Sequence, residues 1–168
     1  MAIPTRRKCL AKKNDQICRF WINVVSYEHV LKGVEWGIIQ SCHGKSTPLK
    51  RMSQGDWVIH YSPKDALGGK IPCQKFTSIG QISDEEVYEY DMGGGFVPWR
   101  RNVKYLQSYP CSIVPMLEEL SFTKGRTSWG YMFRLGFFEI TETDFKEIFW
   151  KMVGIPFAYD TTFSFMNT

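Results

Sequence analysis

Residues 41–45, with the sequence SCHGK, combine side chains suited to holding a phosphate. His43, Gly44 and Lys45 lie in a predicted turn, where glycine lets a backbone N–H approach an anion closely and Lys45 supplies a point charge. We therefore interpret these three residues as phosphate-binding. A second interpretation stays open, in which a small hydrolase or nuclease uses His43 and Lys45.

A flat ligand such as an extruded base needs aromatic faces for stacking and a few polar groups for its edge. The predicted strand WVIHYS ends in Tyr61 and Ser62, which we interpret as a wall of the pocket and a hydrogen-bonding group. His60 points to the opposite face, because alternate residues of a strand face opposite ways. We interpret His60 as an interior or surface histidine with a partner of its own.

The predicted strand RFWINVVS, residues 19–26, carries a second set of candidates. Trp21 and Asn23 share one face of it, and Asn23 offers both a donor and an acceptor to a base edge. A polar residue inside a strand that looks buried needs a partner, which favours a binding role for Asn23. For Trp21, a core position and a binding position fit equally well.

Phe96, Trp99, Arg100 and Arg101 form the other informative cluster, preceded by three consecutive glycines. An aromatic ring next to paired arginines suits base stacking for Phe96 and Trp99 and phosphate contact for the arginines. The flexible glycines would let this segment close over a ligand. The competing interpretation is an edge strand whose arginines pair with the acidic residues at 84–91.

The charged and metal-binding residue types exclude several functions. The five cysteines contain no CxxC pair, and no carboxylate cluster has metal-ligand spacing. No Ser-His-Asp or Cys-His arrangement stands out. We therefore predict a protein that is not an enzyme and has no metal or cofactor.

The net charge of +4 is unevenly distributed along the 168 residues. Residues 1–19 hold 6 of the 21 basic side chains and 1 of the 17 acidic ones, so the remaining chain is close to neutral. The sequence therefore does not indicate a basic surface that would cover a whole face of a nucleic-acid duplex. Any phosphate contacts must involve a few local residues. Neither a signal-peptide core nor a membrane span is present, so we expect a cytoplasmic protein without membrane contact.

Short strands interrupted by brief helices dominate the predicted elements, with no regular β-helix-β spacing. The clearest helix is TETDFKEIFWKM, in which Phe145, Ile148, Phe149 and Met152 fall at i, i+3, i+4 and i+7. The pattern predicts an α+β fold, with a twisted or barrel-like mixed sheet and flanking helices. The aromatic residues after this helix follow no period and are not placed by the pattern.

Several long segments occur together in one order, namely FWINVVSYEHVLKGVEWGIIQSCHGK, PLKRMSQGDWVIHYSPK, FTSIGQI, FVPWRR and WGYMFRLGFFEI. Together they resemble an EVE domain of the PUA-like superfamily over residues 20–153. The resemblance implies a PUA-like fold with a strongly curved or closed sheet. We accordingly divide the chain into a basic arm (1–18), an EVE domain (19–153) and a C-terminal tail (154–168).

EVE domains are similar to YTH domains, which hold a methylated adenine in an aromatic cage. The resemblance implies a non-catalytic module that binds a modified base in DNA or RNA. By the same resemblance Trp36 is a cage wall, although a core position fits it equally well, and Gln40 reaches the same space. Ser26 is a helix cap that also contacts the base, and His29 lies on a helix beside the pocket. A small-molecule-binding module remains an alternative, and the oligomeric state is left open.

Overall fold

The structure is a computed structural model that describes residues 17–40 and 45–166. The strands and helices are β1 (Phe20–Val24), α1 (Tyr27–Trp36), β2 (Ile38–Gln40), α2 (Thr47–Arg51), β3 (Trp57–Lys64), β4 (Pro72–Ile82), β5 (Tyr88–Glu89), β6 (Trp99–Tyr105), β7 (Cys111–Ser112), β8 (Phe137–Ile140) and α3 (Glu142–Val153), with 3₁₀ helices at Val114–Met116 and Trp129–Leu135.

The strands form one mixed, curled sheet in the order β2-β6-β4-β3-β1-β8, with β5 paired to β6 and β7 paired to β4. β1 runs parallel to β3, and the other pairings are antiparallel. The result is a half-barrel with helices around it, which confirms the predicted α+β, PUA-like fold. Among the described residues no helix has both the length and the apolarity to cross a bilayer.

Alternation along β1 and β3 divides the core into two clusters, because successive side chains of a strand face opposite ways. Phe20 and Ile22 belong to the outer cluster, together with Trp57 of β3 and the buried face of α3. Trp21 belongs to the inner cluster, which fills the concave side of the sheet. The predicted apolar stripe of α3 is confirmed, since its four residues are at most 1% exposed.

Two glycines permit the close approaches that shape the concave side. A Cβ on Gly80 would lie 2.5 Å from Cγ1 of Val103, so glycine lets β6 approach β4 closely. A Cβ on Gly33 would lie 2.9 Å from the carbonyl oxygen of Ile38, so glycine brings α1 against β2. Any larger residue at these positions would push α1 or β6 away from the sheet.

The aromatic residues after α3 pack on the outer cluster. Phe157 is buried and makes an edge contact with the ring of Trp57 at a centroid distance of 5.6 Å. Phe163 and Phe165 contact the same indole. The backbone N–H of Met166 donates to Tyr105 at 2.7 Å, which anchors the end of the described chain on β6.

Two glycines with positive φ separate neighbouring elements. Trp36 is the last residue of α1, because Gly37, with φ of 65°, ends the helix directly after it. The segment YMFRL forms part of a 3₁₀ helix, and the strand β8 begins only at Phe137. Gly136, with φ of 72°, separates the two.

We expect the Phe157→Ala variant to lose about 3 kcal/mol of unfolding free energy, because truncating a buried phenylalanine leaves a cavity. Urea unfolding followed by tryptophan fluorescence measures this loss. Ile155→Ala is the matched control in the same segment, since Ile155 is largely exposed. Equal stabilities of the two variants would show that residues 154–166 do not contribute to the core.

Candidate functional site

The main cavity lies between α1, β2 and β3 and has a volume of about 410 Å³. Its lining consists of His29, Lys32, Gly33, Trp36, Ile38, Ile39, Gln40, His60, Leu67, Met92 and Phe96. Cavities of a few hundred Å³ that are apolar with a few polar groups are typical of ligand sites. The Gly33 contact described above gives α1 the position from which it forms one wall.

Large apolar side chains are unusually exposed around the mouth of the main cavity. Trp36 and Phe96 are each 48% exposed, Met92 is 42% exposed and Leu67 is 92% exposed. A cluster of such residues around a concavity marks an interaction site more strongly than single exposed residues do. The aromatic faces available for stacking are therefore those of Trp36 and Phe96.

A tight loop holds Met92 and Phe96 beside each other. The backbone N–H of Met92 donates to Phe96 at 2.9 Å, and the N–H of Phe96 donates to Gly93 at 3.2 Å. The glycines at 93–95 all have positive φ, and no atom lies within 4 Å of a Cβ added to any of them. Glycine is needed here for backbone conformation and not for space.

Arg100 is buried and contacts residues at the rim of the main cavity. Its Nε donates to Oε1 of Gln40 at 2.8 Å. The guanidinium carbon lies 3.9 Å from the ring centroid of Tyr90 and 5.3 Å from that of Trp36. A planar cation between two rings supports their orientation. The side chain is 5% exposed, so Arg100 orients Trp36 instead of standing out toward a phosphate.

A side groove of about 550 Å³ lies next to the main cavity and shares Trp36, Ile38 and Met92 with it. The remaining lining residues are Tyr88, Tyr90, Asp91, Arg100 and Asn102. Trp36 and Met92 therefore stand between two adjacent concavities. A planar group in one and a connected group in the other would both contact the Trp36 indole.

The most deeply buried polar group of the main cavity is His60, which is 3% exposed. Its Nδ1 has no hydrogen-bond partner. Burial, with a smaller contribution from His29, lowers the pKa of His60 from 6.5 to about 3, so the ring is neutral at physiological pH. Burial and the neighbouring Lys32 also lower the pKa of His29.

Four predicted ligand-binding residues meet in the main cavity, namely His29, Trp36, Gln40 and Phe96. Ser26 lies at the N-cap position of α1 but makes no side-chain cap bond. It lines a smaller neighbouring concavity of about 230 Å³ together with His29 and Leu67. Asn23 is half-buried beside His60 in the β1–β3 register and is not part of the lining of the main cavity.

Three other predicted ligand-binding residues lie in the core. Trp21 is 1% exposed, and its Nε1 donates to Asp56 at 3.1 Å. Tyr61 belongs to the outer cluster and stacks on Phe133 with a centroid distance of 3.8 Å. Ser62 is fully buried and pairs with Thr77. Packing and internal hydrogen bonds account for all three side chains, so the structure does not bring them to the cavity.

The remaining predicted residues lie elsewhere. Trp99 is half-buried against the inner cluster, with Nζ of Lys50 5.1 Å from its ring centroid. Lys45 is exposed just before α2. His43 and Gly44 lie outside the described residues.

Arg101 does not form an exposed pair with Arg100, because neighbouring residues of β6 face opposite ways. Its Nε donates to Asp84 at 2.9 Å, and Nη1 donates to the carbonyls of Leu49 and Met52. The side chain is 2% exposed and joins β6 to α2 and to the acidic segment. Its predicted role in phosphate binding is corrected to a structural one.

Seven lining residues were not predicted from the sequence, namely Lys32, Gly33, Ile38, Ile39, His60, Leu67 and Met92. For His60 a signal existed, because a polar residue inside a buried strand needs a partner, as was argued for Asn23. No local pattern could have identified Leu67 or Met92, which come from loops. Among the described residues no group of three His, Cys, Asp or Glu side chains could hold a metal ion.

Comparisons with known proteins place this geometry in a family. Residues 19–151 match the family model for the EVE domain. The chain is similar to the UPF0310 protein in gntR 5'region of Bacillus licheniformis, with 50% identity over 130 residues, covering 77% of this chain and 88% of the relative. UPF0310 protein msl3206 of Mesorhizobium japonicum is 44% identical over 139 residues, covering 82% and 93%.

Two solved structures are similar to this chain at low sequence identity. A hypothetical protein from Leishmania major matches with a TM-score of 0.52 and 10% identity, over 79% of this chain and 92% of that one. The YTH domain of Zygosaccharomyces rouxii MRB1 protein, solved in complex with N6-methyladenosine RNA, matches with a TM-score of 0.48 and 18% identity, over 78% and 84%.

We expect the Arg101→Met variant to lose about 3 kcal/mol of unfolding free energy, because it removes the ion pair with Asp84 and the donor of two buried carbonyls. Lys104→Met, on an exposed position of the same strand, is the control. Urea unfolding measures both variants. A loss no larger than that of the control would contradict the structural role of Arg101.

We expect acid to destabilise the protein partly through His60. Between pH 6.5 and about 3 the unfolded chain binds a proton at this residue that the folded chain excludes. The free energy of unfolding therefore falls as the pH falls, by about 1.4 kcal/mol per pH unit from this residue. Urea unfolding at several pH values should show a shallower slope for His60→Phe, in which His29 is retained. Equal slopes would mean that His60 is protonated in the folded state.

Proposed function

The chain belongs to the EVE domain family, and on that premise we propose that it is a non-catalytic nucleic-acid-binding module that holds a modified, methylated base in the main cavity. The observation that carries the proposal is the exposed aromatic rim around a deep concavity. Soluble proteins rarely leave such side chains in water unless a partner covers them.

Stacking supplies the affinity in this proposal. Trp36 lies at the mouth of the main cavity, and Phe96 lies on the loop between β5 and β6. A base that enters therefore contacts aromatic and apolar walls. Stacking on aromatic side chains is worth about 1–3 kcal/mol per base. A methyl group on the base adds apolar area, which the side chains of Ile38, Leu67 and Met92 favour.

The base must leave its stack to enter the main cavity, which favours single-stranded segments or flipped bases in DNA or RNA. Lys32 lines the cavity and is exposed, so it can meet a phosphate at the mouth. We also assign a phosphate contact to Lys45, because it is exposed and follows Gln40, a lining residue of the main cavity, closely in the sequence. Asp91 lies in the side groove and disfavours phosphate there.

Two other functions make different predictions. A hydrolase or nuclease that uses His43 and Lys45 would convert its substrate, and a Lys45→Ala variant would abolish turnover. A small-molecule-binding module would take a free nucleoside or another planar compound as tightly as an oligonucleotide. The closeness of the exposed rim to Lys32 favours a ligand that carries both a planar group and an anion.

We expect Trp36→Ala to weaken binding of a modified oligonucleotide about 5- to 150-fold, which corresponds to the loss of one stacking platform. Trp150→Ala is the matched control, because Trp150 lies on α3 and has the same 48% exposure as Trp36. Fluorescence anisotropy with single- and double-stranded probes should be run at two salt concentrations. The probes carry unmodified bases, methylated cytosine or methylated adenine.

A dependence on the modification that Trp36→Ala removes and Trp150→Ala retains would support the proposal and identify the base. Equal, salt-sensitive binding of every probe by all three proteins would mean that only charge is recognised. The proposed base site would then have to be abandoned. Cleavage of any probe would favour the enzyme alternative.

A further inference from the structure

One buried polar group in the main cavity has no structural role that the fold explains. His60 lies on β3 with its side chain toward the concave side, lines the cavity and is 3% exposed. Its Nδ1 has no hydrogen-bond partner. Buried polar atoms are almost always paired, because a lost hydrogen bond to water is otherwise not replaced. A group left in this state at a ligand cavity needs an explanation.

Two polar groups near His60 are already engaged with other partners. Tyr105 lies with its ring centroid 5.9 Å from that of His60, but its hydroxyl donates to the carbonyl of Ile38 at 2.9 Å. Thr77 pairs with Ser62 and with the backbone carbonyl of His60. Neither of these groups pairs with Nδ1, which leaves this nitrogen available to a ligand in the main cavity.

A second unpartnered atom lies close by in the sheet. Ser78 is 5% exposed, its Oγ has no hydrogen-bond partner, and it is paired with His60 across the β3–β4 ladder. Residues paired in an antiparallel ladder have their Cβ atoms about 4.5–5.5 Å apart. Two unsatisfied polar groups therefore stand together on the concave side of the sheet, behind an apolar and aromatic entrance.

We propose that His60 is a specificity-determining residue. Its ring nitrogen Nδ1 forms a hydrogen bond with a polar atom on the edge of the heterocycle held in the main cavity. This inference rests on the proposed function, because it assumes that a planar base enters between Trp36 and Phe96. A neutral imidazole carries one donor and one acceptor nitrogen. It therefore distinguishes bases by the donor or acceptor that they present at one position.

The role of His60 differs from that of the rim residues. Trp36 and Phe96 offer stacking, which tolerates any base because every base has a flat face. A directional hydrogen bond in a dry pocket rejects a ligand that leaves the protein group unpaired. We thus assign the stacking affinity to the rim residues Trp36 and Phe96, and the discrimination between bases to His60.

The test compares the wild type, His60→Phe and Thr77→Val. Phenylalanine keeps a planar ring and removes both nitrogens, whereas Thr77→Val removes a buried hydroxyl that has partners and does not line the cavity. Anisotropy titrations use oligonucleotides with N6-methyladenine, 5-methylcytosine or the unmodified bases. Urea unfolding at neutral pH gives the midpoint of each protein.

We expect His60→Phe to bind the preferred oligonucleotide about tenfold more weakly, the value of one hydrogen bond, and to lose its preference over the others. Its unfolding midpoint should not fall, because no existing hydrogen bond of the ring is removed. Thr77→Val should show the reverse pattern, with a lower midpoint and an affinity within about twofold of the wild type.

Several outcomes would overturn the inference. If Trp36→Ala loses binding while His60→Phe keeps the wild-type preference, base binding stands and the role of His60 is wrong. A lower midpoint of His60→Phe with uniformly weaker binding of all probes would make His60 structural. If the wild type binds none of the probes, both proposals fail.

Nitrogen-15 NMR of labelled histidine in the wild-type protein provides a readout that does not depend on the variant. Adding the preferred oligonucleotide should shift one ring nitrogen of His60 in the direction expected for a new hydrogen bond. Unchanged ring-nitrogen signals of His60 at saturation, with the His29 signals perturbed, would show that the bound base does not contact His60.

Discussion

The arrangement of the sheet depends on the hydrogen bonds that the buried carboxylate of Asp56 accepts. This carboxylate is fully buried and accepts hydrogen bonds from the indole of Trp21 at 3.1 Å and from the backbone N–H groups of Ser53 and Arg19 at 2.8 and 3.1 Å. β1 and β3 run parallel and share no hairpin, so no turn sets their register. Asp56 joins the start of β1 to the turn before β3 and so aligns the two strands.

This alignment determines what faces the concave side. The β1–β3 register sets Asn23 beside His60, while Tyr61 faces the outer cluster. α1 closes the concave side because Gly33 lets it approach β2. The main cavity is thus the space that remains between a curled sheet and a helix held at a fixed distance. The position of His60 in it follows from strand register, whereas its apolar rim comes from the end of α1 and from loops.

The two neighbouring arginines show how tertiary structure separates residues that look alike in sequence. Arg100 stacks between Tyr90 and Trp36 and supports the rim, whereas Arg101 joins β6 to Asp84. Both interpretations of the arginine pair had a basis in the sequence, since acidic residues precede it. The pairing with the acidic segment holds for Arg101, because its face of β6 turns toward Asp84.

Local pattern was sufficient for the strands β1 and β3 and for the helix α3 with its apolar stripe, because each depends on the types and spacing of neighbouring residues. The long ordered motifs also determined the family and the α+β, PUA-like fold. The sequence could not decide whether Trp21 or Trp36 is exposed, because both follow apolar patterns. Only the tertiary structure did so, since the exposure of a side chain depends on which distant segments pack against it. The same reason applies to His60, whose missing partner is a property of its surroundings and not of its neighbours in the chain.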